Sequence, residues 1–460
     1  MSAVISVPSP SECADMLGYY ARAGDYAQLA AMLHLASNLT APLLLGHGTT
    51  NDGSFDVKRY QTALVTARVP KPWDSILRGH YAVIGALSTG DVALGIKYQM
   101  ELTSTFLSHL SGSKGVLLPV LMTLLENLGQ LALAADLEAR TANRPAEFLN
   151  RTMQPFQQAF AICVTDHSSS RPTHQRSNLP GALRVVNLQL RLFFHAGAAT
   201  LIDKLFKTVQ HRLTTQPEMV SASAKRDVLA FRFWQARYCV LDDRVQEAYE
   251  WIEHVLATAP GGCTNQLRWT LLFHVPLAVV TQGKLPSQRL LQKYPALQSL
   301  YGPLVSAIRS GSLADFDVHM AQPNTRAALD RLALEDVVSA MRWLVLRRAV
   351  KKLHVMLVEH AASGAAVTQV PFARVQMALG LSTRGGSLAM PSMATEQEEE
   401  GVTAAASEAA LSSLIAMGMI KGYVSHEHQM LVLSKADPFP RCVDQVVRAM
   451  ELWSVWRARA

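Results

Sequence analysis

Apolar positions recur at three- and four-residue spacing through most of this 460-residue chain, the repeat of helices packed along one face. Met16, Tyr19, Tyr20 and Ala23 line a first short helix within 9–36; Gly24-Asp25 breaks it, and Tyr26, Leu29, Met32 and Leu33 line a second. The plan returns at 79–110, where Gly90-Asp91 separates Tyr81–Leu87 from Val92–Leu110. It returns again at 224–257, where Asp242-Asp243 separates Val228–Leu241 from a helix on which Val245, Ala248, Tyr249, Ile252, Val255 and Leu256 keep helical spacing. Three helix–turn–helix pairs of irregular period predict an α-solenoid of tetratricopeptide type, whose stacked pairs leave a groove for partners. Ordinary antiparallel helices without such a groove are the alternative.

Polar, turn-rich segments at 41–57 and 165–181 predict loops. The stretches 76–137, 145–161 and 183–210 predict helices, with a soft boundary near 215–222. A long helical pattern without Gly or Pro runs from Leu329 to Glu359, and a shorter one from Pro371 to Leu381. Near the C-terminus the period changes. Leu411, Leu414 and Ile415 make one helical stripe, which Gly418 ends. Met419–Val424 and Met430–Leu433 then flank a polar turn and predict a hairpin. Helix, helix, helix, hairpin is the order of a winged helix. The predicted fold is therefore all-α, a helical repeat closed by a winged helix with a small β-hairpin. Its domains are a helical-repeat region at 1–220, a helical subdomain at 221–345, a winged helix at 346–440 and a tail helix at 441–460.

Composition narrows the class. The chain is 49% hydrophobic but only 17% charged, below the roughly 25% of an ordinary soluble chain, which implies large buried faces. A net charge of +7 permits contact with nucleic acid or an acidic protein. Five scattered cysteines without a C-x-x-C pair speak against a disulfide framework or a zinc site. The N-terminus lacks the basic and apolar regions of a signal peptide. The most apolar stretch, Gly115–Leu125, meets Glu126 short of a membrane span, so no membrane insertion is expected.

No nucleophile elbow, H-E-x-x-H, phosphate loop or spaced Cys/His set occurs, so a non-enzymatic protein without cofactor is expected. His426 and His428 form an H-x-H on the predicted turn, with no third ligand suggested nearby. They and Tyr423 are candidates for touching a partner. Arg347, Arg348, Lys351 and Lys352 are spaced to share a helix face, and a winged helix would gather them with Lys421 and Lys435. Such a set predicts sequence-independent contact with phosphates; the alternative is solvated charge. Phe233, Trp234 and Tyr238 around the small Ala236 predict helix–helix core packing. The segment 382–406 carries Gly385-Gly386 and the acidic run Glu396–Glu400 and predicts a low-complexity insertion.

Two phrases carry a family resemblance. The run Ile420-Lys421-Gly422-Tyr423, Ser425-His426, His428-Gln429, Leu431-Val432, Ser434-Lys435 and Pro438-Phe439-Pro440 resembles the C-terminus of PCI-domain-containing protein 2 and its fungal relatives. The block Phe231–Arg244, with Arg232-Phe233-Trp234-Gln235-Ala236-Arg237-Tyr238, resembles the aromatic phrase that opens the family's PCI helices. The resemblance covers 221–440 well and 1–220 only through helical character; the insertion at 382–406 departs from it. It implies a PCI subunit of the nuclear transcription-and-export complex (TREX-2), acting in messenger RNA export. The implied partners are a GANP-type scaffold protein, a small acidic proteasome-lid-type protein, and RNA or DNA held by its backbone. Arg347, Lys351, Lys352, Lys421 and Lys435 match family positions of the basic surface. The implied location is nuclear, with association at the nuclear pore and a cytoplasmic pool. The rival readings are another PCI assembly (proteasome lid, signalosome or initiation factor), which the C-terminal wording disfavours, and a sequence-specific DNA-binding regulator.

Overall fold

The computed structural model describes residues 9–37, 40–44, 55–110, 113, 115–145, 147–165, 177–260, 264–360, 368–384, 404–441 and 446–447. Most of the loop segments at 41–57 and 165–181, the acidic run Glu396–Glu400 and nearly all of the tail at 441–460 lie outside these residues. The chain divides into two units, 1–231 and 232–460.

The first unit is helical throughout its described residues. Its opening pairs form where the spacing predicts, as Pro10–Ala23 with Tyr26–Leu33 and Trp73–Ser88 with Val92–Leu110. Ser9 starts the first helix with a capping box: its hydroxyl accepts from the Glu12 amide while the Glu12 carboxylate accepts from the Ser9 amide. Left-handed backbone at Gly24 and Gly90 turns the chain between pair members. The helix Leu118–Thr141 is long and apolar enough by composition to cross a membrane. It packs against Tyr26–Leu33, Val92–Leu110 and Ala182–Ala196 and buries Asn127, whose amide donates to the Leu33 carbonyl and accepts from the Leu35 amide. That is the behaviour of a core helix.

The second unit continues the helical pattern and ends in a small sheet. One contiguous core runs from Ala236 through Phe273, Leu297, Tyr301 and Val345 to Leu411, Leu431 and Phe439, so the helical part and the winged helix share their interior. The joint between them is Gly311, which closes the helix Pro295–Ser310 with φ of 75°. A Cβ there would come within 3.0 Å of the Ala349 amide nitrogen. The Gly311 carbonyl accepts from the Ser382 hydroxyl at 2.6 Å, and the same hydroxyl accepts from the Leu313 amide at 3.1 Å.

The long pattern at 329–359 does not form one helix. It divides into the end of Pro323–Leu332, then Glu335–Ala340, then Arg342–Glu359. Ala333 takes φ of 55° at the first break, and its amide donates to the Asp330 carbonyl. Leu334, Val337, Val338 and Met341 are all buried, so core contacts bend the chain where local propensity favours continuation.

The winged helix follows in the predicted order. Arg342–Glu359, Phe372–Arg384 and Ala404–Ala416 are its helices. The hairpin strands are β2 (Gly422–Ser425) and β3 (Met430–Leu433). A strand absent from the sequence reading, β1 (Gln369–Pro371), adds to the other edge of β3, giving an antiparallel sheet of order β1-β3-β2. Its Val370 is buried opposite Leu431. Three residues ending in proline carry no readable alternation.

Candidate nucleic-acid interface

The helix Arg342–Glu359 buries Leu344, Val345, Leu346, Ala349 and Val350, which turns its cations toward neighbouring elements. Arg347 donates through Nε to the Met419 carbonyl at 3.0 Å and through Nη2 to the Pro440 carbonyl. Its guanidinium carbon also lies 5.8 Å from the centre of the Phe439 ring, and Lys351 Nζ lies 6.0 Å from that centre. His354 packs on the same ring. Phe439 is itself buried, so the Pro438-Phe439-Pro440 phrase is a latch gripped by this helix. Cation–ring contact and charge-assisted hydrogen bonds both favour the arrangement.

Arg348 and Lys352 face another element. Arg348 Nε donates to the Arg309 carbonyl at 3.3 Å, and Lys352 Nζ donates to the Ser310 carbonyl at 2.7 Å. Those carbonyls end the helix Pro295–Ser310, where a helix leaves acceptors without intrahelical donors and its dipole favours cations. Four of the six candidate cations are thus turned onto the Phe439 latch or the end of the helix Pro295–Ser310.

The remaining two stand at the base of the wing. Lys421 is exposed, its backbone holds Pro438 and Ser434, and its ammonium lies 3.5 Å from Asp437. Lys435 is exposed just beyond β3. The third helix beside them, Ala404–Ala416, contains no Lys or Arg; its exposed positions include Ala405, Ala406, Ala409 and Ser412. In winged helices that read DNA bases, a helix supplies donors to base edges. This one carries none of the Arg, Lys, Asn or Gln that make two-point contacts with bases, which weighs against sequence-specific recognition.

At the wing tip, His426 pairs with Glu408 of the third helix at 3.1 Å. His428 and Tyr423 are exposed. Among the described residues no cluster of three His, Cys, Asp or Glu side chains could hold a metal.

The aromatic phrase lies on the helix Lys225–Leu241. Ala236 is fully buried, and Phe233 packs on the core with its ring 5.7 Å from Phe273. Trp234 and Tyr238 are half-buried, and each carries an arginine. Arg237 lies 5.4 Å from Trp234 and 5.5 Å from Phe273, and Arg244 lies 5.5 Å from Tyr238. Arg237 also donates to the Arg331 carbonyl, and burial pulls its guanidinium down to about 10. No motif in the sequence singles out Arg237. Its place three residues after Trp234, on one helix face, was the available signal.

Residues 313–435 match the PCI domain. The chain therefore carries a PCI domain, in a unit built as helices closed by a winged helix. Its relatives differ in name. Over 429 residues the chain is 25% identical to the protein named CSN12 homolog of Schizosaccharomyces pombe, covering 89% of this chain and 93% of that one. It is 22% identical over 373 residues to PCI domain-containing protein 2 of Danio rerio, covering 80% and 84%. It is 26% identical over 339 residues to the protein named COP9 signalosome complex subunit 12 of Eremothecium gossypii, covering 70% and 77%. The resemblance to PCI domain-containing protein 2 therefore extends beyond the 221–440 legible from phrases. The signalosome name attaches to a relative despite the C-terminal wording that spoke against that assembly.

Proposed function

We propose that this chain is the non-enzymatic PCI scaffold subunit of a nuclear transcription-and-export complex. It would hold a GANP-type scaffold protein and a small acidic protein, and present the wing base to the backbone of RNA or DNA. The observation that carries the nucleic-acid part is the pair Lys421 and Lys435. Both are exposed, Lys421 with Asp437 at 3.5 Å, beside a helix that has no cation for reading bases. Similarity to PCI domain-containing protein 2 over 80% of the chain supports the choice of complex. The net charge of +7 suits both an acidic protein and phosphates. Location in the nucleus, partly at the pore, follows from the same reading.

A signalosome subunit is the second reading, favoured by the printed name of the Eremothecium relative. Gentle purification of the tagged chain from nuclei, with identification of what co-purifies, separates the two. A GANP-type protein with a small acidic protein is the expected result. A set of signalosome, proteasome-lid or initiation-factor subunits overturns the export reading and leaves the fold standing.

A further inference from the structure

Among the described residues, Tyr19, Trp269 and Tyr423 are the exposed large aromatic side chains. Two of them are engaged. The Tyr19 ring meets that of Tyr20 edge-on at 5.4 Å, and Arg268 lies 6.0 Å from the Trp269 ring. Tyr423, 61% exposed, carries no ring or cation among the described residues.

The sheet register decides which way that ring points. Tyr423 pairs with Val432 of β3, and Val432 with Gln369 of β1. In the next row Leu431 and Val370 are buried, and Val424 packs on the core. Successive residues of a strand point to opposite faces, so Tyr423, Val432 and Gln369 lie on the outer face. Ser425, Met430 and Pro371 form the neighbouring outer row. None of these side chains is charged, and Tyr423 and Gln369 are the exposed ones. The pairing runs on past β2, where the Ser434 amide donates to the Lys421 carbonyl at 2.9 Å. Lys421 therefore keeps the alternation and falls on the side of Tyr423, about 7 Å before it along the strand.

An uncharged face that presents one open ring beside an ammonium suits an unpaired nucleobase. The base stacks on the ring while its phosphate lies by the cation. Lys421 is shared with Asp437 at 3.5 Å, which leaves the ring as the feature specific to a base. A duplex does not fit, because its bases are already stacked on one another. A protein fits less well. A tyrosine supplies about 150–250 Å², a stable interface takes about 800 Å² from each partner, and the apolar neighbours Val432, Met430 and Pro371 are half-buried.

We infer that Tyr423 is a base-stacking residue, which makes the wing selective for single-stranded RNA or DNA over duplex. This rests on the reading of the wing base as a nucleic-acid contact and adds the class of nucleic acid it takes.

The test is fluorescence anisotropy of the full-length chain with one labelled strand made as RNA and as DNA, each alone and annealed to its complement. Tyr423→Ala should weaken binding of the single strands at least fivefold and leave the duplexes unchanged. It should also leave the slope of log K against log salt as it is, since no phosphate contact is lost. Tyr423→Phe should keep the affinity, and Tyr423→Leu, apolar but without a ring face, should lose it as alanine does. Circular dichroism should be the same for all three variants, because the side chain is exposed. A loss confined to RNA or to DNA supports the stacking and names the sugar. Unchanged single-strand affinity in Tyr423→Ala overturns the inference, as does an equal loss on duplex, or a co-purifying protein lost from the tagged variant while RNA binding stays intact. If Lys421→Ala with Lys435→Ala weakens binding and Tyr423→Ala does not, the wing base stands and the stacking falls. The converse pattern keeps the stacking and removes the lysines, and no binding by the unsubstituted chain removes both.

Discussion

Arg347 and Lys435 sit in the same winged helix with the same formal charge, and their surroundings give them different tasks. Arg347 reaches two carbonyls and an aromatic ring brought from the far end of the domain, whereas Lys435 faces water. Arg347→Ala should lower the unfolding free energy by about 2 kcal/mol, since hydrogen bonds from a charged donor are lost and two carbonyls lose their partner. Lys435→Ala should change it by less than about 0.5 kcal/mol. Urea unfolding of both variants checks the contrast, and equal stabilities would undo the latch at Phe439. In the first unit, His80 is buried, with Nε2 3.3 Å from the Thr40 hydroxyl, and burial pulls its imidazole down from 6.5 to about 4. The unfolded chain then binds a proton that the folded chain refuses between those values. Stability is fully present above pH 6.5 and falls as pH drops toward 4, by about 3 kcal/mol at most. Urea unfolding at pH 7.5, 6, 5 and 4.5 should show that loss, and His80→Gln should flatten it; an unchanged slope in the variant removes His80 as its source.

At the scale of the element, the hairpin depends on a glycine for reasons of space. A Cβ at Gly422 would stand 2.2 Å from the Val432 carbonyl oxygen of the paired strand, a backbone atom that cannot rotate away. Gly422→Ala should therefore open the β2–β3 pairing and cost about 1–3 kcal/mol. The expected mark is faster amide exchange across Met430–Leu433 with helical circular dichroism unchanged; normal protection there would show that the sheet shifts to accommodate the methyl group. The helix pairs, the stop at Gly418 and the hairpin were legible because each rests on spacing within a dozen residues. The break at Ala333 and the strand Gln369–Pro371 were not. The first is imposed by core contacts on a sequence that favours helix, and the second exists only because β3 offers a free edge.

For the molecule as a whole, the wing base can be tested apart from the complex. Fluorescence anisotropy with labelled single-stranded RNA, run from 50 to 200 mM salt, should show binding weaken as salt rises. Lys421→Ala with Lys435→Ala should lower the affinity at low salt and make the slope of log K against log salt shallower by about 1.4, the value for two phosphate contacts on a single strand. Substituting Arg348 and Lys352 should move stability more than that slope, because both cations cap the helix Pro295–Ser310. A slope unchanged by the lysine pair would remove the wing base from the interface.

The sequence by itself determined a helical stack, the order of a winged helix and a PCI-type ending. Those rest on short-range periodicity and on contiguous wording, which survive without knowledge of what touches what. Only the tertiary structure decided which charges are available to a ligand. Six cations look alike along the chain, but the carbonyls of Arg309, Ser310, Met419 and Pro440 reach three of them, Arg347, Arg348 and Lys352, from 39 to 93 residues away. The exposure of Met377 and Leu381 was hidden for the same reason. A helix of period 3.6 shows which positions share a face, and packing alone decides which face is left to the solvent.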